Sequence, residues 1–237
     1  MNGRRASRWY AHLEVEVTAL GGMYNAHLHL DRAGTWEPAY WSADLDQSLR
    51  CAHSSLHEKH RLIHRIHAGP AYTRDDFDRR VNAALDVMVA CNTAVAETLV
   101  DVTDDEVGLT ALDWMLDIKA RRADELTLRI GAYSPFGFTD AEPGRWAVFE
   151  EGARRADFIG CLPEADDTRE HPDHIGFAEH CRRTVLLARE LGIPAQVHVD
   201  QRFEPSETGT EDLLEVLREL GPGADSGGEP MVWAVHA

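Results

Sequence analysis

The chain has 237 residues, and 24 lysines and arginines against 41 aspartates and glutamates give a formal net charge of −17. A hydrophobic share of 43% and a charged share of 27% are typical of a globular domain. The acidic excess argues against nucleic acid as the main partner, because phosphates would be repelled over most of the surface. No apolar run approaches the roughly 18 residues of a membrane span, and residues 1–16 lack the apolar core of a signal peptide. The four cysteines stand far apart, which favours a reducing compartment, so we expect a cytoplasmic protein.

Short runs typical of buried strands alternate along the chain with longer stretches of helical periodicity. The predicted strands lie at 22–28, 94–100, 127–132, 157–162, 194–199 and 231–236, and the predicted helices at 45–67, 74–91, 105–122, 145–155, 174–191 and 210–220. No repeat or linker divides the chain, which predicts one domain over 22–237 after an N-terminal flank over 1–21. Within the flank, residues 10–20 are expected to form a strand remnant. Thr73 is a predicted helix cap and Gly192 a predicted helix stop.

Alternation of strands and helices predicts an α/β fold with a parallel sheet covered by helices. Two architectures fit this pattern, an open doubly wound sheet and a (β/α) barrel. Neither a dinucleotide-binding glycine run nor a phosphate-binding loop motif occurs, which removes the commonest reasons to prefer the open sheet. A barrel needs eight strands, whereas the sequence predicts six.

Two histidines stand two residues apart at the end of the first predicted strand. Residues two apart in a strand point to the same face, so His27 and His29 would project together. Paired imidazoles can chelate zinc or ferrous iron, although two surface histidines can also alternate by chance. His198 and His236 close two further predicted strands. In a barrel the carboxyl ends of the strands converge on one face, where active sites are built, which favours a shared site.

Several motifs in the same order resemble one family. Residues 25–31, Asn-Ala-His-Leu-His-Leu-Asp, are similar to the first-strand metal motif of the metal-dependent amidohydrolase superfamily. Further similarities to its branch with cytosine deaminase and N-isopropylammelide amidohydrolase lie at 99–102, 153–160, 168–170, 197–200 and His236. The resemblance runs from about residue 22 to the end. It implies a (β/α)8 TIM-like barrel of which about six of eight strands are present.

The resemblance also implies a reaction, hydrolysis of a C–N bond in a small nitrogen heterocycle or cyclic amide. One divalent ion, Zn²⁺ or Fe²⁺, would be held by His27, His29 and His198 and would lower the pKa of bound water. His236 would orient the water or polarise the attacked group. Further residues at the same mouth are expected to act with them: as catalytic groups Asp200 and Gln201, and as substrate contacts Asp31, Arg32 and Glu164. For these five, a solvated loop position is an equally open interpretation.

The sequence departs from the family at several positions. Gln201 replaces a glutamate that shuttles protons in the family, and Leu99 replaces a second-strand histidine. Pro135 and Phe136 align near the position where the family has a glutamine that reads the pyrimidine ring. A non-catalytic relative that keeps the fold is therefore the alternative hypothesis. The last two βα units, with an aspartate that binds metal in the family, are also missing. A fragment, half of a split enzyme, or a relative that pairs with another copy would explain this, and we favour the fragment; its partner would be a complementing C-terminal piece or a second copy.

A second histidine pattern lies outside this resemblance. His53, His57, His60, His64 and His67 step by 4, 3, 4 and 3, which lines one face of a helix beside Leu56, Ile63 and Ile66. We interpret it as a pH-sensitive polar face near the barrel mouth. Surface metal binding and a substrate lid are the alternatives.

Overall fold

The computed structural model describes residues 8–37, 39–40, 56–201, 205–222 and 231–236. In chain order the strands are β1 (Met23–Leu28), β2 (Thr93–Asp101), β3 (Thr127–Tyr133), β4 (Phe158–Cys161), β5 (Ala195–His198) and β6 (Val232–Val235). The helices are α1 (Arg8–Ala19), α2 (Leu56–His67), α3 (Arg74–Ala90), α4 (Thr110–Arg121), α5 (Gly144–Ala153), α6 (Phe177–Leu191) and α7 (Gly209–Leu220). Short 3₁₀ turns stand at Leu30–Arg32, Pro70–Tyr72 and Pro163–Asp166.

All six strands form one parallel sheet in the order β1-β2-β3-β4-β5-β6. Each strand follows a helix, so every crossover returns the chain to the same end of the sheet. The longest run of paired residues joins β2 to β3, from Val95 with Thr127 to Asp101 with Tyr133. The structure therefore confirms the predicted strands and the α/β class, arranged as a half-barrel.

The sheet separates two apolar layers. The outer layer packs the helices against the strands, with Phe77, Leu85 and Met115 fully buried. The inner layer is smaller and includes Leu99, Tyr133 and Phe158. Leu99, at the position where the resemblance implies a histidine, is a fully buried part of this inner layer.

Three local predictions have different outcomes. The strand remnant at 10–20 is wrong, because residues 8–19 form α1, and Trp9, Leu13 and Val17 recur at the four-residue spacing of a helix. Gly192 ends α6 in the left-handed conformation, with φ 68°, as predicted. Thr73 does precede α3, but its hydroxyl donates to the Pro70 carbonyl and does not cap the helix.

The described helices bear on two further predictions. The predicted helix at 45–67 is confirmed from Leu56 onward, and residues 45–55 lie outside the described residues. Among the helices that the structure describes, none combines the length and apolar character required to cross a bilayer.

Candidate metal centre

The four histidines singled out from the sequence meet on the inner side of the sheet. His27 lies in β1, His29 directly after it, His198 ends β5 and His236 follows β6. Ring centroids in the contacting pairs are 4.8 to 5.7 Å apart. Strands that are distant in sequence thus deliver imidazoles to one point, because parallel strands end on the same side of the sheet.

Three of the four can reach a common ion. One ligand atom from each of His27, His198 and His236 lies within 4.8 Å of the other two. His29 does not join this set among the described residues. Its Nδ1 accepts a hydrogen bond from Arg32 Nη2 at 2.7 Å. Burial and the neighbouring Arg32 charge hold the pKa of His29 well below its ordinary value, so this ring is neutral.

The contact between His27 and His198 has the geometry of two metal ligands. Their Nε2 atoms lie 3.1 Å apart. His198 Nδ1 donates to the Cys161 carbonyl at 3.1 Å, and His27 Nδ1 donates to Gln196 Oε1 at 2.9 Å. In its neutral form each ring has a single proton, which these acceptors hold on Nδ1, and Nε2 then carries the lone pair that a metal needs. Two nitrogens at 2.0–2.1 Å from a tetrahedral zinc ion would lie roughly 3.3 Å apart, so the pair fits such an ion.

Protonation of His198 is disfavoured by its surroundings. His198 is buried, and burial together with His27 lowers the pKa of His198 to about 3. A neutral ring is the form that binds metal. Facing lone pairs at this distance repel unless a cation or a proton lies between them.

A polar chain in the interior supports His27, and sequence reasoning missed it. The Gln196 amide donates to Glu97 at 2.6 Å and to the Ala26 carbonyl at 3.3 Å, which leaves its oxygen to accept from His27. Glu97 in turn pairs with Arg129 at 2.6 Å. The sequence did carry a signal for Gln196. Side chains alternate between the two faces of a strand, and Gln196 stands two residues before His198, so both lie on the same face.

Asp31 and Arg32, the predicted substrate contacts after β1, enter a buried charge network. The Asp31 carboxylate is fully buried and accepts from the Tyr72 hydroxyl at 3.0 Å and from the Asp101 amide at 2.9 Å. Burial and the adjacent Asp101 charge raise the pKa of Asp31 to about 6. Arg32 Nη2 lies 3.3 Å from Asp101 Oδ1 as well as against His29. Burial alone would lower the pKa of Arg32, but the two carboxylates raise it, so the guanidinium stays charged.

The remaining predicted residues stand around the loop that follows β5. Both Asp200 oxygens accept hydrogen bonds at the start of α7, from the Gly209 amide at 2.8 Å and from the Thr210 amide at 3.1 Å and its hydroxyl. The backbone N–H of Gln201 donates to Glu164 Oε1 at 3.3 Å. Glu164 is buried, with 8% of its surface exposed. The catalytic roles of Asp200 and Gln201 and the substrate role of Glu164 stay predictions.

The histidine pattern of α2 is partly described. His53 lies outside the described residues, and the side chains of His57 and His60 are not among those described. His64 stacks on Phe136, with ring centroids 3.9 Å apart. Ile63 and Ile66 are buried, as the packing stripe predicted, and His67 is buried with them. Both His67 nitrogens bind carboxylates, so this histidine belongs to a buried ion network and not to an exposed face.

Comparison with known proteins supports the half-barrel that the strand order defines. No family model matches the sequence. A solved structure of 5-methylcytosine deaminase from Klebsiella pneumoniae, liganded with phosphonocytosine, superimposes with a TM-score of 0.70 at 23% identity over 90% of this chain. N-isopropylammelide isopropylaminohydrolase from Burkholderia multivorans superimposes with a TM-score of 0.58 at 23% identity over 84% of this chain.

These likenesses confirm the predicted fold, an incomplete (β/α)8 barrel, and the resemblance to amidohydrolases at the level of fold. The chain spans less than half of both solved proteins, 46% of the first and 44% of the second. In sequence, an uncharacterized protein of Haemophilus influenzae is 28% identical over 216 residues, which cover 89% of this chain and 70% of the relative.

Proposed function

We propose that this chain carries the metal-binding half of a hydrolase that cleaves a C–N bond in a small nitrogen heterocycle or cyclic amide. One observation carries the proposal: the Nε2 atoms of His27 and His198 lie 3.1 Å apart, while the Nδ1 atom of each ring lies against a hydrogen-bond acceptor. The fold supports it, because both solved structures with this fold are enzymes named for removing an amino or alkylamino group.

The donor set suits one divalent ion, Zn²⁺ or Fe²⁺, with neutral imidazole nitrogens as ligands. His27 and His198 would hold it, and the sequence adds His29 as third ligand with His236 beside it. When bound, such an ion supplies Lewis acidity and a water of lowered pKa. Gln196 and the Cys161 carbonyl fix the tautomers and ring orientations of the two ligands, which is the usual task of outer-shell partners.

A leaving amine needs a proton, which has to come from a group of the chain other than the metal ligands. Gln201 stands where the resemblance implies a glutamate, and an amide does not titrate in the range where a shuttle works. This single position also supports the alternative hypothesis, a relative that keeps the barrel and has lost turnover. Such a relative can still bind metal, so metal content tests the site and product release tests turnover.

The test uses the purified chain and measures both quantities. We expect close to one divalent ion per chain by elemental analysis, and loss of that ion in His27→Gln and His198→Gln. His12→Gln is the matched control, because His12 lies exposed on α1 and, within the described part of the chain, pairs only with Glu16 at 3.7 Å. Release of ammonia or amine is then followed with aminopyrimidines, aminotriazines and cyclic amides. A chain that takes up no ion at neutral pH would contradict the metal site, and a loaded chain without turnover on any of them would favour the alternative.

A further inference from the structure

We propose that α1 is a self-association surface, and that two copies of the chain pair through their α1 helices in antiparallel orientation. The inference goes beyond the proposed function and does not depend on the metal site. It rests on the exposed apolar side of α1, on the way α1 is attached to the sheet, and on the charges beside its apolar side.

Exposed apolar side chains are concentrated at the start of the described chain. Of the twelve large apolar side chains that are exposed among the described residues, seven belong to residues 9–24. Trp9, Leu13 and Val17 recur every four residues, and Leu20 follows directly after α1, so these side chains line one side of the helix. Trp9, Leu13 and Leu20 expose 65%, 43% and 85% of their surface. A contiguous exposed apolar surface of this kind is typical of a protein–protein interface.

A helix as exposed as α1 needs a partner to be stable. It has 12 residues, Arg8–Ala19, and none of them is buried. Helices shorter than about 12 to 15 residues are marginal on their own in water, and most helical stability in proteins comes from the packing of an apolar face. The described part of the chain does not bury the apolar side of α1, so this packing has to come from another surface. A second copy of α1 offers one.

The attachment of α1 leaves its apolar side open to a partner. The Asn92 side chain donates to the Thr18 hydroxyl at 2.8 Å, and the Asn92 carbonyl accepts from the Met23 amide at 2.7 Å. This residue therefore ties the last turn of α1 to the edge strand β1. Thr18 follows Leu13 by five residues, which is about 140° around the helix. The contact with the sheet is thus made on the side away from Leu13.

The charges beside the apolar side favour a second copy in antiparallel orientation. Arg8, His12 and Glu16 recur every four residues, so one flank of α1 runs from a cation to an anion. Glu14 adds to the acidic half of the helix. A two-fold axis across the middle of α1 places the Arg8 end of one copy beside the Glu16 end of the other, and the surface is then self-complementary. A parallel pair would oppose like charges and align the helix dipoles unfavourably.

Sedimentation equilibrium of the full chain tests the pair. We expect a reversible monomer–dimer equilibrium. In Leu13→Glu the dimer dissociation constant should rise by at least about tenfold, because two carboxylates would face each other near the two-fold axis. Leu186→Glu is the matched control, since Leu186 is exposed to a similar extent, 47%, on α6. It should change the dissociation constant by less than about twofold, and circular dichroism checks that both variants fold.

Disulfide cross-linking reads the orientation of the two helices. Single cysteines are placed on α1 in a background with Cys51→Ser and Cys91→Ser, and the chains are oxidised with glutathione disulfide. Leu13→Cys, near the two-fold axis, should link to its own copy. Trp9→Cys should not, because in the antiparallel pair its two copies lie roughly 12 Å apart along the helix axis. A mixture of Trp9→Cys and Val17→Cys chains should form the mixed dimer.

Hydrogen exchange supplies a third readout. The amides of α1 should exchange more slowly as protein concentration rises, because the partner completes the packing of the helix. Exchange that does not depend on concentration would overturn the proposal, since the packing would then come from the same chain. A chain that stays monomeric at every concentration, or a dimer that persists unchanged in Leu13→Glu, would overturn it as well. Self-linking of Trp9→Cys would overturn the antiparallel orientation.

Discussion

His67 and Asp101 form a buried ion pair between α2 and the end of β2, with His67 Nε2 donating to Asp101 Oδ2 at 3.0 Å. The other ring nitrogen donates to Asp105 at 2.6 Å, so the imidazole carries both protons and a positive charge. Arg32 and the Tyr72 hydroxyl also face Asp101. His64 Nδ1 lies 3.6 Å from Asp105 Oδ2. Burial alone would lower the pKa of His67, but the hydrogen bonds to both carboxylates raise it to about 9.

The first prediction follows from that raised pKa. The folded-state pKa of His67 lies above the value of 6.5 expected for the unfolded chain, so its contribution is complete below pH 6.5 and is lost as pH rises through 9. The difference corresponds to roughly 3 kcal/mol. Urea unfolding of the metal-free protein should show stability falling between pH 7 and 10. His67→Gln should flatten this part of the profile.

His64→Gln is the matched control for this experiment. His64 lies one turn earlier on α2, and its side chain is 55% exposed and 3.6 Å from Asp105. Its substitution should leave the alkaline fall in stability unchanged. Equal pH profiles for wild type and His67→Gln would show that the ion pair does not stabilise the fold.

The second prediction concerns the outer-shell amide behind His27. Gln196→Leu keeps the size of the side chain but removes the oxygen that accepts from His27 Nδ1. Zn²⁺ affinity should fall by about 10–100-fold. Gln201→Leu is the control, because the Gln201 Nε2 is buried without a hydrogen-bond partner in the described residues. Unchanged Zn²⁺ affinity in Gln196→Leu would mean that the tautomer of His27 is set elsewhere.

The third prediction concerns close packing in the inner layer. A methyl group at Gly160 would overlap Leu99 and lie 3.0 Å from Tyr133 Cδ2. Gly160→Ala should therefore destabilise the fold by roughly 1 to 3 kcal/mol in urea unfolding, because overpacking displaces neighbours. Gly144→Ala, at the start of α5 with nothing within 4 Å, should be neutral or slightly stabilising. Recovery of stability in the double variant Gly160→Ala/Leu99→Val would identify the overlap with Leu99 as the cause. A Gly160→Ala variant as stable as the wild type would exclude it.

The fourth prediction separates two roles of Asp200. Its carboxylate accepts from the Gly209 and Thr210 amides, and its backbone has φ 56°. Asp200→Ala should lose about 1 kcal/mol of stability as the cap is removed, and Asp200→Asn less, because asparagine caps helices and tolerates positive φ. If turnover is established and Asp200→Asn abolishes it while unfolding is unchanged, the catalytic role predicted from the sequence is supported; equal turnover contradicts it.

The strands and the meeting of the histidines could be predicted from the sequence, and the partners of the side chains could not. Runs such as 194–199 are short and apolar, and parallel pairing brings their carboxyl ends together whatever the loops do. The Gln196 contacts with His27 and Glu97 depend on how strongly the sheet curves, because these partners are 169 and 99 residues away. Burial of His67 depends on where α2 docks.

Local context explains one wrong prediction, the strand remnant at 10–20, and one set of contacts that the sequence did not predict, those of Asp200. Residues 10–20 are rich in residues that strands also accept, and only the four-residue spacing of Trp9, Leu13 and Val17 indicates a helix. Asp200 follows a strand histidine, which suggests the site, but the direction of α7 places the helix amides within its reach. Side-chain roles are set by such neighbours and not by the position along the chain.

The meeting of His27 and His198 joins residues 171 positions apart. On the proposal above, an ion there would fasten the first strand to the fifth and close a very long loop, which the unfolded polymer could do only at a large entropic cost. Free metal would then favour the native form by mass action, adding about 2.7 kcal/mol at a hundred times the dissociation constant. A chelator would act on this half-barrel much as a denaturant does.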